Sequence, residues 1–316
     1  MVGVWGLLIF PLSKAAFILA SLIDYPAYSY WFTPQWELAF SSKGDDLFWY
    51  NGKLIQSRSL ELPVDDPGLL YGATVFTTLR VYQQSLDSQL TNWTAHCDRL
   101  RSSLKTFNWQ QPDWQLCRQG ALLLTPHFPV LRIVIFPDGR EWITGRVLPP
   151  DLTERQKDGI TAWLAEDNLF RRSIPDIKTG NYLSAWLALS KAQTLGAKEA
   201  ILIDSSGNWL ESSTGNIWGW RDGRWWTPPL NAGILPGTAR SQLIGWLESQ
   251  NVAVGADPWT PSFVRGLEAI AYTNSVVEVV PIASVIQETG TISYNPFHSS
   301  LEQLRSLFQD GGAGKP

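Results

Sequence analysis

Lys178-Thr179-Gly180-Asn181-Tyr182 places an amine between a proline, Pro175, and the start of a helix-patterned segment. Residues 181–195 carry Leu183, Trp186, Leu187 and Ser190 at helical spacing, and Gly196 stands where a C-terminal cap glycine is preferred. Lys178 is therefore expected at or just before a helix N-terminus, whose positive dipole end disfavours a protonated amine. An amine must be neutral to attack an aldehyde and form a Schiff base, so this position suits covalent catalysis. A solvated loop lysine is the ordinary alternative, and spacing alone favours it.

Downstream, residues 199–204 predict a strand, 205–208 a turn and 209–210 the returning strand. Glu211 then stands at a strand end, followed by Ser212-Ser213-Thr214-Gly215-Asn216. A carboxylate there could hold a protonated pyridine nitrogen and keep such a ring an electron sink, although any strand-end glutamate reads the same way. Residues 217–220 and 224–227 flank a hairpin turn at Asp222-Gly223, so a barrel-like sheet is expected. Gly233-Ile234-Leu235-Pro236-Gly237-Thr238-Ala239-Arg240 puts a small-residue turn before a helix at 241–249. Backbone N–H groups and the helix dipole can bind an anion in that arrangement, and plain helix entry is the competing explanation. Residues 269–273 and 276–280 predict late strands, and Thr273-Asn274-Ser275 between them could offer the same anion a hydroxyl.

Upstream, residues 47–50 and 53–55 read as strands around a type I′ turn at Asn51-Gly52. Residues 75–82 predict a further strand. Residues 91–107 predict a helix with Leu100, Leu104 and Phe107 on one face, and 131–136 a strand closed by Pro137-Asp138-Gly139. This half mixes α and β, and Pro149-Pro150 mark its expected end before a strand at 159–166. The expected organisation is an apolar N-terminal extension over 1–46, domains over 47–150 and 151–310, and a disordered tail over 311–316.

The chain of 316 residues carries 25 basic and 29 acidic side chains, with no run of Lys or Arg to neutralise a phosphate backbone, so nucleic acid is not an expected partner. Its 17 Trp point to broad aromatic packing. Cys97 and Cys117 are too few for a disulfide framework or a zinc site, and with only His96, His127 and His298 no metal is expected. A reducing cytoplasm is the default location. Residues 1–23 are nearly all apolar and approach a membrane span in length, yet Pro11 and Lys14 interrupt them and no signal-peptide pattern is present. An upstream extension from a misassigned start, a membrane anchor and a helix packed on the body are the three readings, the first preferred; membrane partnership is not expected.

Taken in order, six blocks stand out: Tyr71-Gly72 with Val75-Phe76-Thr77-Thr78-Leu79-Arg80; His96 with Arg99-Leu100; Lys178-Thr179-Gly180-Asn181-Tyr182; Leu210-Glu211 with Asn216-Ile217; Leu235-Pro236-Gly237 with Arg240; and Thr273-Asn274-Ser275 with Val280-Pro281. Together they resemble the class IV aminotransferase and aminodeoxychorismate lyase family over about residues 47–285. The resemblance implies an α+β enzyme of pyridoxal-phosphate fold type IV. A small N-terminal α/β domain and a larger C-terminal pseudobarrel domain would enclose pyridoxal 5′-phosphate between them, in a homodimer acting on a small molecule. It further implies that Lys178 bonds the cofactor and moves protons, that Glu211 pairs with the pyridine nitrogen, and that Tyr182 touches the ring hydroxyl. Arg80, Gly237, Thr238 and Ser275 would hold the phosphate. Ala239 stands where many aminotransferases of the family have a phosphate-binding threonine.

Within the family, Phe76-Thr77-Thr78 in place of Phe-Glu, two residues rather than three between Lys178 and Asn181, and Thr273-Asn274-Ser275 in place of Thr-Gly-Thr resemble the lyase more than the branched-chain aminotransferases. Gly72-Ala73-Thr74 and Asp66-Pro67-Gly68 depart from the common Gly-Asp-Gly and Asp-Arg-Gly. The expected reaction is conversion of 4-amino-4-deoxychorismate to p-aminobenzoate and pyruvate. A transaminase acting on branched-chain or D-amino acids and a non-catalytic relative are the alternatives. Ser102-Ser103-Leu104-Lys105 with Lys178-Thr179-Gly180 mimics two penicillin-binding motifs, but no Ser-Asp-Asn lies between them.

Overall fold

In the computed structural model, which describes residues 46–310, strands β1 (Leu47–Tyr50) and β2 (Lys53–Gln56) turn over Asn51-Gly52, both at positive φ as a two-residue hairpin requires. The expectations placed on residues 1–45 and 311–316 lie outside the described residues. A short helix, α1 (Pro67–Tyr71), follows, capped by Asp66, whose side chain accepts from Gly68 N. Strands β3 (Val75–Arg80), β4 (Val130–Ile135) and β5 (Glu141–Arg146) complete a five-stranded antiparallel sheet in the order β2-β1-β5-β4-β3.

Because strand side chains alternate, this sheet has two distinct faces. Val75, Leu79, Leu131, Ile133 and Ile143 are fully buried on one, beneath α2 (Trp93–Thr106) and α3 (Trp114–Leu124), which contribute Leu100, Leu104, Ala121 and Leu124. The register pairs Phe76 with Val134, Thr78 with Arg132 and Val130 with Arg146, so Phe76, Arg132 and Arg146 lie on the other face. Helix α3 was not expected. Its Leu116, Leu122 and Leu123 are exposed while Cys117, Ala121 and Leu124 are buried, so apolar residues surround it and no single stripe marks it in the sequence.

Helix α4 (Leu152–Asp158) follows Pro149-Pro150. The second sheet is built from β6 (Ile160–Ala165), β7 (Glu199–Ile203), β8 (Trp209–Ser212), β9 (Asn216–Arg221), β10 (Arg224–Trp226), β11 (Val254–Gly255), β12 (Ala269–Asn274), β13 (Glu278–Gln287) and β14 (Gly290–Ser293). Its order is β11-β10-β9-β12-β13-β6-β7-β8, with β14 on β13. Strand β8 ends one edge of this path, yet β9, near the opposite edge, begins after only three intervening residues. That short link forces the sheet to curl, and Trp209 N donates to Trp259 O at 2.9 Å. The interior is aromatic and aliphatic, with Trp209, Trp259, Ile217 and Ile270 buried.

Helix α5 (Leu183–Thr194) packs differently from the pattern that suggested it. Ala185, Ala188 and Ala192 are buried against Ala200 and Leu202 of β7, whereas Leu183 and Trp186 face outward. Small side chains let the helix approach the sheet closely, which leaves the larger ones to point away. Helices α6 (Thr238–Ser249), α7 (Pro261–Arg265) and α8 (Leu301–Asp310) complete the described chain. No helix among the described residues is long and apolar enough to cross a membrane.

Leu79, fully buried between β4 and α2, sets the packing of the first sheet. Leu79→Ala is expected to destabilise the protein by about 2–5 kcal/mol, seen as a lower urea midpoint with an unchanged slope.

Candidate active site

Lys178 is carried by a segment laid along the free edge of β3. Phe76 N donates to Lys178 O at 2.9 Å, Gly180 N donates to Thr74 O at 2.8 Å, and Val75 pairs with Thr179. Helix α5 starts at Leu183, five residues further on, with Tyr182 as its N-cap. The amine instead lies 4.7 Å from the Phe76 ring centroid and 5.0 Å from that of Tyr182. Desolvation, then the guanidinium groups of Arg99, Arg172 and Arg132, hold its pKa well below the ordinary lysine value, and Glu211 opposes them only in part. Burial and these cations, rather than the dipole that sequence suggested, push the amine toward its neutral form.

Glu211 is buried in the interior of β8. Its Oε1 accepts from Arg172 Nη1 at 2.6 Å and its Oε2 from Leu235 N at 3.1 Å. Arg172 Nη2 also donates to Ile177 O at 2.9 Å, so one guanidinium ties the carboxylate to the residue before Lys178. Sequence reasoning missed Arg172. Burial raises the Glu211 pKa, against the lowering pull of Arg172, the Leu235 N–H and Lys178. A carboxylate offers about four acceptor positions, so two accepted hydrogen bonds leave room for another donor. Tyr182 donates its hydroxyl to Ser213 O and presents its ring to Lys178.

At the other end, Gly237 is the N-cap of α6 and supplies no side-chain cap, so the first-turn N–H groups lack one. A Cβ on Gly237 would stand 2.1 Å from Asn216 Oδ1, which is why no larger residue fits there. Thr238 Oγ1 lies 2.8 Å from Ser275 Oγ and 3.3 Å from His96 Nε2. His96 Nδ1 meets the Thr77 hydroxyl, which in turn accepts from Arg99 Nη2 at 2.8 Å. Burial first, then Arg99 and Lys178, keep this imidazole neutral. If Thr77 accepts from Arg99 and donates to Nδ1, the ring proton sits on Nε2 and points at Thr238, leaving the Thr238–Ser275 pair able to donate outward. Arg80 joins this end through its backbone, whose N–H donates to Ser275 O at 3.0 Å. Its guanidinium pairs with Glu278 at 2.8 Å and lies over the Tyr82 ring.

The structure therefore brings Lys178, Tyr182 and Glu211 to one end of a site, and Gly237, Thr238 and Ser275 to the other. Glu199 was also missed. Fully buried, it accepts from the hydroxyls of Ser212, Ser213 and Thr214 and from Thr214 N, fixing the turn between β8 and β9. Three hydroxyls clustered after a strand were its one visible trace. Among the described residues no cluster of His, Cys, Asp and Glu could hold a metal ion.

Lys178, its pKa lowered, stands beside a buried carboxylate, and a helix start without a side-chain cap stands at the other end. The chain belongs to the amino-transferase class IV family, which residues 74–285 match. A putative branched-chain-amino-acid aminotransferase of Methanocaldococcus jannaschii is 27% identical over 280 residues, covering 82% of this chain and 94% of that protein. The aminodeoxychorismate lyase of Vibrio harveyi is 22% identical over 264 residues, covering 78% and 94%. The solved branched-chain aminotransferase of Thermoproteus uzoniensis superposes with a TM-score of 0.71 at 19% identity, over 84% of this chain and 95% of that one.

A depressed amine pKa should be visible chemically. Near neutral pH, trinitrobenzenesulfonate followed by peptide mapping is expected to label Lys178 ahead of surface lysines. Arg99→Leu should raise the Lys178 pKa and slow the labelling. Stability carries the matching sign. The unfolded chain binds a proton at Lys178 that the folded one lacks, so this group's penalty is relieved as pH rises from the folded-state pKa toward the ordinary lysine value.

Proposed function

We propose that this protein is a pyridoxal-phosphate lyase that converts 4-amino-4-deoxychorismate to p-aminobenzoate and pyruvate, a step toward folate. The observation that carries the reading is the meeting of Lys178 and Glu211 in one site, held together by Arg172. Pyridoxal 5′-phosphate is the cofactor of this family, and the donor set fits it: a neutral amine for its aldehyde, a buried carboxylate for its ring nitrogen, and hydroxyl and N–H donors for its phosphate.

When bound, the cofactor supplies an aldehyde and a ring that draws electrons from the carbon bearing the substrate nitrogen. Lys178, its pKa lowered by burial and the neighbouring guanidinium groups, would hold the cofactor through its amine and would serve as the base for the proton on that carbon. Glu211 would pair with the ring nitrogen and favour its protonated form. Tyr182, fixed by Ser213 O, borders the lysine and limits where the ring can lie. Thr238, Ser275 and the Gly237 turn would hold the phosphate, with Arg80 tied to Ser275 through its backbone. Loss of the proton and of the enolpyruvyl group, released as pyruvate, leaves an aromatic ring with no atom unaccounted for.

Support for the lyase over a transaminase lies in Phe76-Thr77-Thr78. Thr77 is a link in the chain from Arg99 to His96, a place a glutamate could not fill in the same way. The second reading is a class IV aminotransferase, favoured by the archaeal relative. A homodimer is part of either reading. Leu69, Leu70 and Tyr71 before Gly72, and Leu183 and Trp186 after Asn181, on which Gly72 packs, are exposed apolar side chains that a second copy would cover. A cytoplasmic location and the division into domains near Pro149-Pro150 belong to the same proposal.

The holoenzyme is expected to release pyruvate from 4-amino-4-deoxychorismate and to form no glutamate from branched-chain or D-amino acids with 2-oxoglutarate; glutamate without pyruvate sinks the lyase reading. Lys178→Ala should abolish turnover together with the cofactor's visible absorbance. Glu211→Gln should lower kcat by about 10²- to 10³-fold, the usual loss for one preorganised electrostatic contact.

A further inference from the structure

Asn216 stands in the same sequence block as Glu211 yet has no part in the chemistry above. It opens β9, is buried, and pairs through its backbone with Thr273, two residues before Ser275. Its side chain reaches the turn that precedes α6. Nδ2 donates to Leu235 O at 2.9 Å, an orientation fixed by the partner because a carbonyl can only accept. Oδ1 lies against Gly237, where a Cβ would stand 2.1 Å away.

Leu235 is gripped from two sides. Its N–H donates to Glu211 Oε2 at 3.1 Å while its C=O accepts from Asn216, and Pro236, next in the chain, has no N–H to add. Among the described residues, the polar groups of Leu235 are therefore placed by two side chains, one from β8 and one from β9, and by no backbone ladder. The start of α6 has a separate anchor. Arg240 donates from Nε to Thr227 Oγ1 at 3.2 Å and from Nη2 to Pro228 O at 3.1 Å, which holds the helix without reaching Glu211. Asn216 contacts both the residue that bonds Glu211 and the glycine that caps the helix.

That double contact matters because a carboxylate for the ring nitrogen and donors for the phosphate must meet two ends of one rigid molecule. Their separation is then as consequential as their chemistry, and a misplacement of about 1 Å can cost about 10²-fold in rate. We infer that Asn216 is a positioning residue, a clamp whose amide sets the spacing between the Glu211 carboxylate and the Gly237-Thr238 turn. The inference rests on the proposed reading of these groups as the two ends of the cofactor site. Without the amide, Leu235 O loses its partner in a buried place, and the turn is free to settle elsewhere.

The test is spectroscopic and uses the full-length holoenzyme. The visible absorbance band of the bound cofactor reports its ring end, and the phosphorus NMR signal reports its phosphate end. Asn216→Ala, and Asn216→Asp, which keeps the shape but turns the donor into an acceptor, are expected to move both signals and to weaken binding of pyridoxal 5′-phosphate roughly tenfold. Leu124→Ala, a core truncation in α3, should lower the urea midpoint and move neither signal. A folded Asn216→Ala or Asn216→Asp with both signals at their wild-type positions, as a merely structural asparagine would leave them, overturns the clamp. Movement of either signal alone does the same. Should neither variant fold, Gly237→Ala decides, because its Cβ must push Asn216 Oδ1 aside and should move the visible band from the phosphate end; an unmoved band overturns the inference. Pyruvate release in the same preparations keeps the two ideas separate. Pyruvate with unmoved signals leaves the lyase standing and removes the clamp, moved signals without pyruvate do the reverse, and a wild type with no visible band removes both.

Discussion

The edge of β3 is the constraint on which the site depends. An edge strand offers unpaired N–H and C=O groups, and here residues 178–180 take them up, Lys178 O accepting from Phe76 N and Gly180 N donating to Thr74 O. That pairing sets the lysine where the first sheet ends and the curled sheet begins. The far end of β3 is held by Arg80 N on Ser275 O, so one strand of six residues fixes both the amine and the turn at the anion cradle. Strands are stiff over such a length, and the distance between amine and cradle is therefore set by backbone rather than by side chains.

Arg172 has a different task. A buried carboxylate next to a neutral amine would tend to take up a proton itself, since burial raises its pKa. The reach of Arg172, to Glu211 on one side and to Ile177 O on the other, pulls the Glu211 pKa down against burial and anchors the loop that bears Lys178. Removing either partner would leave a buried charge uncompensated, a far larger penalty than the pair's net contribution.

Much of the frame was legible because hairpins announce themselves. Asn51-Gly52 and Asp222-Gly223 adopt the positive φ values that those residue types predict, and β3, β4, α2 and α6 begin and end within a few residues of their patterns. Lys178 and Glu211 were legible as a combination of short motifs. What sequence could not disclose is charge brought together by folding. Arg99, Arg132 and Arg172 come from a helix, a strand and a loop, so no local pattern records that they surround Lys178, and a helix dipole stood in for them. The face of α5 was hidden for a related reason. Alanines carry weak signal in a hydrophobic pattern, yet here they are the buried residues, and the larger Leu183 and Trp186 that drew attention lie outside. Arg132 did leave a trace, a lone cation inside the apolar run Val130-Leu131-Arg132-Ile133-Val134, which alternation assigns to the opposite face from Leu131 and Ile133.

The whole chain is acidic, with a net charge of −4, but the site is not. Around Lys178 the cations Arg99, Arg132 and Arg172 outweigh Glu211, and Arg146 adds to Arg132. Such a concave cationic field draws in anions and releases its own repulsion when they arrive. The consequence reaches the lysine. Burial and then these guanidinium groups push the amine's pKa down. Each anion that enters offsets part of their field and moves the amine's pKa back toward its ordinary value, the direction needed to hold a proton taken from carbon. In the proposed reaction such a shift would suit a lysine that acts first as nucleophile and then as base.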